Sequence, residues 1–295
     1  MAAEPIPVRR YLAVERKYDA RLRAVLERAA LDIRARINSL GVGIGADVRR
    51  AQLNAVLVHI REVQRAMWTD GVLPVVVTGR SAAAVAGHEV AELLDRVLYT
   101  ALPERVAQVV RDGLGATARA GIDTLYARTP RQLSTRVYHD FALTSGHVEK
   151  TIRSGIVSGL SARELATTVY RYISPAAPGG SSYAAMRLAR TELNNAFHNQ
   201  QREGAKRPGV LAVKWNLSGS HGKPDQCNQF ASQDADGLGH GLYSGDNVPD
   251  KPHPQCLCFL TYRTMNPREF ADALDRGDFD AELDRRTKAN LGGIK

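Results

Sequence analysis

All three cysteines of this 295-residue chain, Cys227, Cys256 and Cys258, fall in one C-terminal stretch beside His253. The stretch runs Pro-Asp-Gln-Cys at 224–227, then a Gly/Asp/Ser-rich loop, then Lys-Pro-His-Pro-Gln-Cys-Leu-Cys at 251–258. Three thiolates and one imidazole make the Cys₃His donor set of a closed tetrahedral zinc site. If 256–260 is extended, Cys256 and Cys258 project from one face, because side chains alternate along a strand. Pro252 and Pro254 restrict the backbone around His253 and present its ring from a stiff turn. The match to a zinc ribbon is imperfect, since Phe230 stands where the second cysteine of a C-x-x-C knuckle would be.

Two other readings fit the same residues. The thiols are small apolar groups suited to a core, and Cys227 could bridge to Cys256 or Cys258 if the Cα atoms came within range. The N-terminus lacks the basic start and apolar stretch of a signal peptide. Synthesis in a reducing compartment would favour metal or free thiols over a disulfide.

The elements that must position these groups are mostly helical. Tyr11, Val14, Tyr18, Leu22, Val25, Ala29, Ile33, Ile37 and Leu40 recur at spacings of three and four, which predicts a long amphipathic helix over 8–40. After the glycines of 41–45, Asp47 is a candidate N-cap for a second helix through Trp68, with a stop at Asp70-Gly71. Further helices fit 80–101, 103–127 after Pro103, and 133–158. A capping box, Ser161 with Glu164, opens another. The Pro/Gly/Ser-rich segment 176–182 reads as a linker. Beyond it, 183–205 reads as a helix, 210–217 and 257–263 as strands. Asn266, Pro267 and Glu269 then give an N-cap, a first-turn proline and a capping-box acid for a short last helix.

The expected fold class is mainly α with a small C-terminal α+β module, long helices followed by a compact domain stapled by its Cys/His cluster. Its divisions are a helical region 1–175, the linker 176–182, a module 183–265, and a short helix and tail 266–295.

Hydrophobic residues make up 44% of the chain and charged residues 24%, and no apolar run is long enough to span a bilayer. The formal net charge of +9 and a pI near 9.6 suit contact with polyanions. Arg49, Arg50, Arg61 and Arg65 spread along one helix, where a solvated basic face is the expectation and phosphate contact without sequence reading the alternative. Aromatic content of 6%, with no basic patch interleaved with stacking rings, argues against a dedicated single-strand reader. No basic recognition helix or base-reading motif is present.

The order Arg190-Thr-Glu192, Lys214-Trp215, Asp225-x-Cys227, Pro252-His253-Pro254-x-Cys256-x-Cys258 resembles the Mu F-like, phage head morphogenesis family of minor capsid proteins. The likeness covers roughly 183–264; the helical first half fits only in general character. Members commonly carry C-x-x-C at the first cysteine, where this chain has Phe230, and often arginine between the last two, where it has Leu257.

The resemblance implies a low-copy protein inside the head of a tailed bacteriophage, made in the host cytoplasm and associated with the portal during assembly. Its partners would be the portal protein, the major capsid or scaffolding protein, and packaged double-stranded DNA held without sequence preference. The mixed Arg/Glu faces of the long helices would also suit an oligomer.

The residues themselves say less about the rest of the motif. Arg190 and Glu192 lie two apart on a helix and point to different neighbours. Asn195 and Asn199 share a face and could bond to the backbone of the metal loop, with solvated side chains the expectation; Trp215 is expected to be core, and Asp225 to form a turn rather than accept a bond behind the ligands or add a fifth one. Four ligands at Cys227, His253, Cys256 and Cys258 would close a structural zinc, so an enzyme is not expected. The alternative is a zinc- or cysteine-dependent enzyme or effector. In it Cys227 and His253 would serve as nucleophile and base, or a metal-activated water would give its proton to Glu192 or Asp225.

Overall fold

A computed structural model describes residues 5–39, 46–108, 146–155, 160–175, 180–219 and 221–281, with isolated positions elsewhere; the side chains of 46–54 and 181 are excepted. The expected break at 41–45, most of the helices expected over 103–127 and 133–158, the centre of the linker and the tail lie outside these residues. The chain is mostly helical, with a three-stranded antiparallel sheet near its C-terminus and the Cys/His cluster beside it. Among the described residues no helix is long and apolar enough to cross a membrane.

The chain packs as two compact units, one from Met1–Glu15, Arg80–Ala127 and Thr191–Lys295, the other from Arg16–Gly79 and Arg128–Arg190. The division does not fall at 176–182. The helix before that segment ends at Ile173 and the helix after it begins at Ser181, and the Ser182 hydroxyl donates to the Ile173 carbonyl. Composition reports local chain geometry, whereas a domain boundary depends on which distant segments pack together.

In the second of these units the core is helical. Helix α1 (Ile6–Asn38) buries Leu22, Leu26, Ala29, Ala30, Ile33 and Ile37, and α2 (Ala46–Ala66) buries Val56, Leu57 and Ile60 against the same cluster. Val25, expected on the buried stripe, is only partly buried and Leu26 takes the central position. Helix α4 (Ala162–Ile173) contributes Leu165, Val169 and Ile173. Its start is the expected capping box: the Ser161 side chain accepts from the Glu164 N–H, and the Glu164 carboxylate accepts from the Ser161 N–H.

The stop expected at Asp70-Gly71 is absent. The chain continues from α2 through a π-helical turn, Met67–Val72, into α3 (Leu73–Leu98). Gly71 is there for contact: a Cβ on it would lie 2.4 Å from Val25 Cγ1. The wider turn ends just before Pro74, whose ring cannot donate to a regular ladder.

The other unit is organised on β1 (Val210–Asn216), the centre of the sheet order β2-β1-β3 with β2 at Leu242–Tyr243 and β3 at Phe259–Thr264. Val213 pairs with Tyr243 on one side and Tyr262 on the other, and Trp215 pairs with Leu260. Val213, Trp215, Tyr243 and Leu260 form a core together with Cys227, Cys256 and Cys258. Helix α5 (Ser181–Ala205) supplies this unit with residues 191–205 and passes close to α3, where a Cβ on Gly87 would lie 2.5 Å from the Phe197 carbonyl oxygen. The short helices α6 (Gln226–Ser232) and α7 (Pro267–Asp275) complete it. Asn266 caps α7 as expected, accepting from the Arg268 and Glu269 N–H groups. The strand expected over 257–263 starts later, at Phe259, because Gln255 adopts φ +57° and turns the chain just ahead of the cysteines.

Candidate metal centre

Cys227 is delivered by the first turn of α6. Asp225 is the N-cap of that helix: its Oδ1 accepts the Cys227 N–H at 2.7 Å, and Asn228 Oδ1 returns the bond to the Asp225 N–H at 3.0 Å. The expected turn role of Asp225 is thus a helix cap, on a helix where a loop was expected. Cys256 and Cys258 arrive from the segment leading into β3 and are both buried, with Leu257 exposed between them. The alternation expected of an extended chain holds although the ladder has not yet begun. His253 comes from the Pro-flanked turn before them.

Three of these residues meet around Cys227, and Cys258 approaches Cys227 in a second group. Cys227 Sγ lies 3.4 Å from His253 Nε2 and 3.4 Å from Cys256 Sγ. Donors of a tetrahedral zinc stand roughly 3.6–3.8 Å apart, given bond lengths of about 2.3 Å to sulfur and about 2.0 Å to nitrogen. All three cysteines are free thiols. A fifth donor joins them: His221 Nδ1 lies 3.8 Å from Cys258 Sγ. The ligand atoms of His221, Cys227 and Cys258 lie within 4.8 Å of one another, as do those of Cys227, His253 and Cys256. The cluster of histidines and cysteines is therefore close enough to hold a metal ion, and soft thiolates with imidazole are the donors that zinc takes.

His221 was missed because it sits in the Ser-Gly-Ser-His-Gly-Lys run, which reads as an ordinary loop. The signal that could have found it is its place four residues before Asp225 and six before Cys227, on the approach to the same helix start.

The electrostatics suit a shared negative charge. A hydrogen bond from Cys258, with the Lys251 charge adding to it, pulls the Cys256 thiol down to about 5 against burial. Burial first, and then the Cys256 thiolate beside it, push Cys227 up to about 12. Cys258 is raised as well, first because it donates to Cys256. The hydrogen bonds among the sulfurs thus favour the thiolate at Cys256 over the other two, and a bound ion would draw the protons from all three. Lys251 Nζ donates to the carbonyl oxygens of Cys256, at 3.3 Å, and Cys258, and sits 5.6 Å from the centre of the Trp215 ring.

The backbone of the cluster is held from α5 by Asn194, one place before Asn195. Asn195 and Asn199 are half-buried, while Asn194 is buried and donates its amide to the Cys256 carbonyl. One position along a helix turns a side chain by about 100°, so the i, i+4 pair chosen from spacing faces elsewhere. On the same helix His198 is buried, donates through Nε2 to the Pro249 carbonyl at 2.8 Å and stands edge-on to Trp215. Burial, and then the Lys251 charge, lower its pKa to about 3. Trp215 is core, as expected.

Arg190 and Glu192 do part company. Arg190 pairs with Asp19 in the second unit, its Nε donating to Oδ1 at 3.2 Å, and Glu192 pairs with Arg80 at 2.8 Å in the unit that carries the cluster. Arg61 pairs with Glu149, while the side chains of Arg49 and Arg50 lie outside the described residues. Comparison of the chain with protein-family models, with curated proteins and with solved structures returns no match.

Proposed function

We propose that this chain is a minor capsid, head morphogenesis protein of a tailed bacteriophage, held inside the head through the portal, with a C-terminal module stapled by one structural zinc. The observation that carries the reading is the convergence of the motif residues. The ligand atoms of Cys227, His253 and Cys256 lie within 4.8 Å of one another, Cys258 joins Cys227 in a second group beside them, Asp225 caps the helix that delivers Cys227, and Trp215 packs in the same core.

Bound there, zinc would supply folding free energy rather than reactivity, since four protein ligands leave it no open position. The chain's own groups do the rest: Asn194 and Lys251 hold the Cys256 carbonyl, and the cap of α6 fixes Cys227. The partners proposed are the portal protein, the major capsid or scaffolding protein and packaged DNA, the last favoured by the net charge of +9.

Quantitative mass spectrometry of DNA-filled particles tests the assignment. The expected result is this chain at low copy against the major capsid protein, retained with heads after tails are removed. Its absence from particles, with soluble chain in the lysate, would refute it and turn attention to the zinc- or cysteine-dependent effector.

A further inference from the structure

The cluster offers three thiols and two imidazoles, one donor more than a tetrahedral zinc accepts. We infer that His221 is the imidazole that stays on the ion and that His253 is an exchangeable ligand. The inference deepens the metal reading above and rests on it.

The hydrogen bonds around the two rings separate their roles. His221 Nε2 lies 2.7 Å from Asn228 Oδ1, which can only accept, so the proton sits on Nε2 and the lone pair of Nδ1 is turned to Cys258 Sγ. Asn228 is itself fixed by the capping box at the start of α6. A metal-binding histidine is oriented in this way, by an acceptor on its other nitrogen.

His253 is oriented by the same rule but less securely. Its Nδ1 donates to the Pro254 carbonyl at 3.0 Å, which turns the Nε2 lone pair to Cys227 Sγ. That same Nε2 also lies 3.1 Å from Asp225 Oδ2. A carboxylate thus contends for the coordinating nitrogen of His253. At His221 the carboxylate lies beside the other nitrogen, with Asp225 Oδ1 3.5 Å from Nε2. Exposure points the same way: the His253 side chain is 37% accessible and that of His221 11%. A ligand with a second partner and an open side can leave and return, and the ion's path to solvent then runs past His253.

The test uses the full chain, reduced and stripped by chelator, then titrated with cobalt(II). Native mass spectrometry reads stoichiometry, visible absorption reads tetrahedral geometry and sulfur ligation, and competition with a chromophoric chelator reads zinc affinity. Wild type is expected to take one ion with a tetrahedral spectrum. His253→Ala keeps that spectrum and loses no more than about tenfold in affinity, whereas His221→Ala loses about 100-fold or more. His221→Cys restores a donor at the same place and recovers binding with a shifted band, which separates loss of a ligand from loss of folding.

A His221→Ala chain that binds as wild type while His253→Ala loses the ion overturns the inference, and so does equal weakening of both. Wild type that takes up no cobalt removes the metal reading itself.

Discussion

His198 makes the stability of the cluster-bearing unit depend on pH in a way that can be isolated from the cysteines. Its ring is buried and its pKa is held near 3, while an unfolded histidine titrates near 6.5. The unfolded chain therefore binds a proton in the interval between these values that the folded chain does not. The contribution is present in full above about pH 6.5 and is lost as the pH falls toward 3, at about 1.4 kcal/mol per unit. Between pH 7.5 and 5.0 the loss is about 2 kcal/mol.

The variant to compare is His198→Gln, whose amide nitrogen can replace the donor to the Pro249 carbonyl without titrating. The chain has two tryptophans. Trp68→Phe, at an indole nitrogen without a hydrogen-bond partner, leaves Trp215 as the sole reporter, in edge-on contact with the ring being tested. Urea unfolding followed by Trp215 emission at the two pH values gives two losses of stability, and any release of metal by acid enters both. The loss should be smaller in the variant by about 2 kcal/mol. Parallel losses in the two proteins would refute the argument that His198 is buried neutral.

Two further outcomes follow from particular contacts. Gly71→Ala should destabilise the helical unit by about 1–3 kcal/mol, because the new methyl would meet Val25 Cγ1, and adding Val25→Ala should recover part of that loss; a double-mutant cycle in thermal unfolding checks it, and strict additivity would contradict the contact. Chelation of the zinc-loaded chain, or Cys256→Ala, should lower the melting temperature of the unit containing Trp215 while the helical signal of the other unit persists, as followed by Trp215 emission beside far-UV dichroism. Equal melting with and without chelator would remove the staple.

What could be read from the chain alone was whatever depends on neighbours a few residues apart. The period of three and four predicted α1, and Ser161 with Glu164 and Asn266 with Glu269 predicted two helix starts, because a cap is closed by atoms three residues distant. The clustering of three cysteines and His253 in one short stretch pointed to a shared site for the same reason.

The rest turns on contacts that have no local signature. Asp70-Gly71 looks like a stop, yet the glycine answers to Val25 across the packed helices and the chain runs on through a π turn. Asn194 rather than Asn195 reaches Cys256, since the rotation of α5 is set by its packing on a sheet that forms later in the chain. His221 becomes a donor only because α6 and the approach to β3 bring Cys258 to it from 37 residues away. Spacing fixes which groups share an element, and the packing of elements decides which groups meet.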